Sequence, residues 1–163
     1  MLPKKTFEYL LIDLEASPKT LALMLASMSD PADYDKRPDP DRFTLREMVA
    51  HLADWDDVFL GRLIQTRDEE MPILQGLDEG QIALANNYAA ADPKECLARY
   101  EANRRRLVSV LRGLTPEQWE RVGNHTELGP ITMATQAVLV GAHDGYHRCQ
   151  TLDWLAVGPA AKG

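Results

Sequence analysis

The chain has 163 residues, 45% of them hydrophobic and 26% charged, with a formal net charge of -7. That is ordinary globular composition, long enough for one well-formed core, so a single domain over residues 1–163 is expected. An acidic chain without long runs of like charge has nothing to neutralise a phosphate backbone, and no apolar stretch approaches the roughly 20 residues that span a bilayer, so neither a nucleic-acid nor a membrane partner is expected.

Four segments carry apolar residues at the 3.6-residue period, separated by breaks rich in Pro, Gly and Asp. The first runs from about Lys4 to Met28, with Phe7, Leu11, Leu14, Leu21 and Leu25 on one side. Its acidic residues Glu8, Asp13 and Glu15 interrupt any signal-peptide core, so it reads as a helix start, and Cys96 and Cys149 are expected as free thiols in a reducing cytoplasm. Pro18 after Ser17 marks either a kink or a restart.

The second helix opens at Thr44, where Glu47 completes a capping-box pattern, and continues to about Thr66. Residues 67–92 then form a link of 26 residues, longer than an antiparallel hairpin requires, so the second and third helices are free to run parallel. Part of this link, around Gln81 to Ala90, is expected to form a short helix. The third helix spans roughly Pro93 to Arg112 and stops at Gly113; Thr115 and Gln118 repeat the capping pattern in the following link. The fourth begins near Pro130 and runs to about Ala156. Almost no strand signal appears, and the reading is an all-α four-helix bundle with a long crossover between helices 2 and 3 and short accessory helices.

The fourth helix carries an unusual seam. At 100° per residue, Gln136, Val140, His143, His147, Gln150 and Trp154 share one face, in alternating steps of four and three. A plain core would place Leu or Ile there; inward polar groups need partners. Two histidines one turn apart can converge on a single metal ion, although an isolated pair with this spacing is more often structural than ligating. The second helix has a comparable seam, Thr44, Met48, His51, Trp55, Val58 and Arg62, with Glu47 and Asp54 beside His51. His125 lies in the loop "VGNHTELGP", where exposure is the simpler expectation. On the third helix Tyr100 and Arg104 fall among Leu97, Leu107 and Leu111; Arg104 is expected at the rim with its head in water, ahead of a role in binding an anionic substrate. Cys149 points well away from the histidine seam, and Trp55 and Trp154 are expected to pack the core or wall a pocket.

"HLADW" on the second helix, "ELGPIT" entering the fourth, and "HDGYHRCQ" within it together resemble the DinB-like superfamily of small four-helix bundles, unrelated to the DNA polymerase of that name. The resemblance covers about residues 4–156 and includes the early "SP" break, although Phe43-Thr44 stands where an aromatic-Ser pair is common. It implies up-down-down-up topology, a homodimer, and a three-histidine metal site formed by His51, His143 and His147. Three neutral imidazoles suit one divalent transition ion, Zn or Ni, and leave a coordination position open for water or substrate. Glu47, Asp54, Asp144 and Gln150 are close enough in sequence to orient the rings or accept a proton, Gln150 best of all.

Two reactions fit such a site: transfer of a small electrophile to a low-molecular-weight thiol, and hydrolysis by ion-activated water. The resemblance takes in thiol-dependent S-transferases and proteins described as metal-dependent hydrolases. A non-catalytic metal-binding or stress-associated bundle, or an interaction module, is the alternative.

Overall fold

The computed structural model describes residues 3–28, 30–37 and 39–157. Its long helices are α1 (Lys4–Ala26), α2 (Leu45–Asp68), α4 (Pro93–Arg112) and α6 (Met133–Val157); α3 (Glu79–Ala85) and α5 (Pro116–Trp119) are short. Strands β1 (Ile73–Leu74), β2 (Val122–His125) and β3 (Gly129–Thr132) form a small sheet. The ends of α2 and α4 follow local chemistry. Thr44 and Glu47 close a reciprocal capping box on α2, while Asp92 accepts the Lys94 and Glu95 amides of α4, with Pro93 in the first turn and Gly113 at the end.

α1 does not restart at Pro18 but runs through it. Proline has no amide hydrogen to give the carbonyl four residues back, which frees Leu14. That carbonyl instead accepts from the Arg104 guanidinium at 3.1 Å, so the defect in one helix becomes an acceptor for another.

Side-chain partners fix the helix directions. Between α2 and α4, Asp54 pairs with Arg99 and Asp56 with Arg104, and Arg46 reaches Ala91 just before α4; the numbers rise together, so these helices are parallel. Between α2 and α6, Met48 meets Thr151, His51 meets His147, and Thr66 meets Gln136; here they run opposite ways. α1 runs with α6, as Leu10 lies against Gly141 and Asp13 pairs with Arg148. The result is the up-down-down-up bundle, closed by the long α2–α4 crossover.

The sheet is the element that sequence periodicity does not announce. β1, in the crossover, pairs parallel to β2, and β2 pairs antiparallel to β3, with Leu74 opposite His125 and Gly123 opposite Ile131. Gly123 is required there because a Cβ would come within 2.6 Å of Leu74 Cδ1 and 2.9 Å of Thr66 Oγ1. β3 also takes Pro130–Thr132 out of the fourth helix, which starts at Met133.

The core has two apolar halves. One gathers Leu11, Leu14, Leu60, Leu63, Leu107 and Met133; the other gathers Leu21, Leu25, Leu45, Met48, Tyr88 and Tyr100. Between them lies a buried ionic layer. Arg104, 2% exposed, donates to both oxygens of Asp56 (2.6 and 3.0 Å) and to both of Asp144, one at 3.0 Å. Its expected rim position is therefore wrong: two carboxylates from neighbouring helices give the guanidinium a reason to be inside.

Candidate metal centre

His51 on α2 and His143 and His147 on α6 meet where these antiparallel helices cross beside the ionic layer. Their Nε2 atoms converge: His51 to His143 is 3.0 Å, and His147 to His143 is 3.2 Å. The candidate ligand atoms of all three lie within 4.8 Å of one another, and no fourth His, Cys, Asp or Glu joins the group among the described residues. His51 and His147 are buried; His143 is partly so.

Burial first, and then the neighbouring rings, hold His51 and His143 down to about 2 and 3, far below the ordinary histidine value. Burial also lowers His147, against the Gln150 hydrogen bond. The imidazoles are therefore neutral, the form that ligates metal. Gln150 Oε1 lies 2.7 Å from His147 Nδ1, which places a proton on that nitrogen and turns the Nε2 lone pair toward the other rings.

This donor set fits a divalent cation. The Nε2 separations are close to the edge of about 3.4 Å expected for a tetrahedral site with nitrogen ligands. Ring-to-ring hydrogen bonding alone leaves the cluster short of protons, with buried lone pairs unsatisfied: His51 Nδ1 has no hydrogen-bond partner, and one proton on His143 Nε2 cannot serve both neighbours. Aromatic rings wall the cluster, with Trp55 4.5 Å and Phe43 5.3 Å from His51, Phe59 5.4 Å from His143, and Tyr146 5.1 Å from His147, centroid to centroid.

The other candidates from the sequence go to different places. Glu47 closes the capping box and pairs with Arg37 at 2.6 Å. Asp54 accepts from Asn86 (2.7 Å), Tyr88 (2.8 Å) and Arg99, so it ties the crossover to α2 and α4 instead of orienting His51. Asp144 belongs to Arg104 and to the Tyr100 hydroxyl at 2.9 Å. Cys96 is buried and Cys149 exposed, both unpaired thiols outside the histidine cluster.

Three residues gained importance from the fold. Asp56 was legible as an acid in line with Leu52, Leu60 and Leu63, although its partner is 48 positions away. His125 is only 6% exposed, a correction to the expected surface position, because β2 pairs on both sides and its Nδ1 accepts the Glu127 amide at 3.2 Å. Gln136 is buried too, donating to Thr66 Oγ1 at 2.9 Å with its carbonyl oxygen unpartnered. Both line a cavity of about 350 Å³ that reaches His143.

The sequence matches the DinB superfamily over residues 13–151. The chain belongs to that superfamily. A protein of Oceanobacillus iheyensis, provisionally named a metal-dependent hydrolase, is 31% identical over 119 residues, covering 69% of this chain and 68% of that protein. YfiT from Bacillus subtilis, described as a probable metal-dependent hydrolase with an unusual four-helix bundle topology, superposes with a TM-score of 0.87 at 25% identity, covering 94% of this chain and 88% of YfiT. The mycothiol-dependent maleylpyruvate isomerase shares the fold at a TM-score of 0.72 and 16% identity; the match covers 98% of this chain but 62% of the isomerase. No helix among the described residues is long and apolar enough to cross a membrane.

Proposed function

We propose that this DinB superfamily member is a metal-dependent enzyme that joins a small electrophile to a low-molecular-weight thiol, with one Zn or Ni ion held by His51, His143 and His147. The observation that carries the reading is the convergence of three neutral Nε2 atoms beside a cavity, without a fourth protein ligand among the described residues. A non-catalytic bundle would call for a sealed cluster. The thiol dependence in the name of the isomerase that shares the fold favours the transfer reading.

When bound, the ion supplies a Lewis-acid centre that favours the thiolate over the thiol. The chain's own residues do the rest. Gln150 holds the proton on His147 Nδ1 and so keeps Nε2 available. Trp55, Phe43 and Phe59 exclude water from the imidazoles. Asp54, Glu47 and Asp144 are committed to other partners, so the proton lost by the thiol passes to solvent and not to a carboxylate beside the site.

Hydrolysis by ion-activated water is the second reading, favoured by the descriptions of YfiT and of the Oceanobacillus protein. Parallel assays of metal-loaded protein separate the two. Thiol conjugation that needs the ion, and is lost in His147→Ala, supports transfer; ester hydrolysis that proceeds without thiol and rises with pH supports the second reading. We also read the chain as a homodimer, because Tyr9, Ile12 and Leu23 expose one apolar stripe along α1. Light scattering that gives 18.3 kDa at every concentration would remove that part.

A further inference from the structure

Two cavities approach the histidine cluster from different sides, and Tyr146 lines both. The first, of about 350 Å³, reaches His143 and is walled mainly by Phe59, Leu63, Ile131, Leu139 and Val140. The second, of about 320 Å³, reaches His147 and Gln150 and is bordered by Arg37, Asp41, Arg42 and Glu79. Their chemistry differs as much as their position.

The apolar cavity has few polar groups, and their balance is informative. Arg62 and Glu127 bring opposite charges, and Arg62 is already held by the Gln75 carbonyl at 2.5 Å. The remaining groups are neutral hydrogen-bonding ones. His125 Nδ1 accepts the Glu127 amide, leaving its proton on Nε2 as a donor. Gln136, 5% exposed, keeps its unpartnered carbonyl oxygen buried beneath the cavity wall, so His125 is left as the neutral hydrogen-bonding group a ligand meets. A ligand with a net charge would meet no uncompensated counter-charge here, whereas an apolar body with one hydrogen-bonding group would satisfy the site.

Extending the transfer reading on which it rests, we propose that the two cavities hold two substrates at once: an uncharged, largely apolar electrophile against His143, and a polar nucleophile bearing charges of both signs, which the balanced arginines and acids there would match, against His147 and Gln150. Tyr146, whose ring meets His147 edge-on at 5.1 Å, separates the outer parts of the two chambers, which meet over the histidine cluster. In the joined state the nucleophile's sulfur forms a bond to the electrophilic carbon. The bond from that carbon to its leaving group breaks, its electron pair departs with the leaving group, and the thiol proton goes to solvent. Water is a poor occupant of the apolar chamber, and a hydrolase acting on one substrate has no use for two chambers of different polarity.

The test uses metal-loaded protein, with metal content measured on every sample. Benzyl alcohol probes the apolar chamber and cysteine the polar one, both followed by NMR. Benzyl alcohol is expected to shift signals of Phe59, Ile131 and Leu139, cysteine those of Arg42 and Glu79, and saturation with one should change the affinity for the other less than about threefold. Ala142→Trp places a ring over the apolar cavity from an exposed helix position, so it should weaken benzyl alcohol about tenfold or more and leave cysteine unchanged. Mutual competition, overlapping shifts, or no binding by either probe in metal-filled protein overturns the two-chamber proposal. Independent binding in protein that takes up no metal leaves the chambers standing and overturns the metal reading alone.

Discussion

Arg104→Met removes the guanidinium from the middle of the bundle and nearly nothing else, since methionine can follow the same apolar path. The wild-type side chain bridges Asp56 on α2, Asp144 on α6 and the Leu14 carbonyl on α1. Without it, two carboxylates, each no more than 2% exposed, lose their shared counter-charge, and the carbonyl freed by Pro18 loses its donor. Breaking a buried ion pair from one side costs about 3–5 kcal/mol, a large fraction of the roughly 5–15 kcal/mol available to a domain of this kind. Because Asp144 is next to His143 and Asp56 is on the helix that carries His51, relaxing this layer should also loosen the histidine cluster. Urea denaturation should therefore show a midpoint far below wild type, with weaker metal retention under chelator competition. The triple variant Arg104→Met, Asp56→Asn, Asp144→Asn leaves no uncompensated charge and should recover much of the loss. An Arg104→Met protein within about 1 kcal/mol of wild type would refute the reasoning, because it would mean that water or relaxation already compensates the layer.

Other perturbations separate the site from the scaffold. His51→Ala, His143→Ala and His147→Ala should each lower metal content sharply from one ion per chain; a triple variant with undiminished metal content would place the ion elsewhere. Gln150→Ala frees His147 to turn and should weaken metal binding about 10- to 100-fold, measured by competition with a fluorescent chelator. Thr44→Ala opens the capping box of α2 and should cost about 1 kcal/mol in thermal or urea unfolding, without changing metal stoichiometry. Burial raises Asp56 to about 7 against the pull of Arg104. Between its ordinary value of 3.8 and 7 the folded chain keeps a proton there that the unfolded chain has lost, so this group's contribution falls as pH rises through that window. The stability margin of wild type over Asp56→Asn should accordingly shrink from pH 5 to pH 8 in paired urea titrations.

What was legible in the sequence was whatever repeats at short range. Apolar spacing marked the long helices, and Thr44 with Glu47 or Thr115 with Gln118 marked two of their starts, because the groups that satisfy those ends are three residues apart. The histidine seam was visible on α6 for the same reason. The strands were not, since "VGNH" and "GPIT" alternate nothing and exist because β1 returns from the crossover to pair with them. Arg104 looked like a rim residue because neither of its carboxylate partners is near it in sequence: they are 48 and 40 positions away. Asp54 misled in the opposite direction. It is three residues from His51, but helical rotation turns it toward Tyr88 and Arg99.

The parallel placement of α2 and α4 has a kinetic consequence. Closing a crossover of about 24 residues costs roughly 1.6 kcal/mol more than closing a four-residue hairpin, about fifteenfold in the rate of docking that pair if the difference is carried in the barrier. An up-down-up-down bundle of the same length could zip from neighbour to neighbour. This chain must bring Asp54 to Arg99 and Asp56 to Arg104 across that gap, while α6 packs mainly on α1 and α2. His51 meets His143 only when α6 docks, 92 positions along the chain. The three rings come together only through this long-range docking, and a chain stalled on the ribosome before α6 emerges would have one of them and no site.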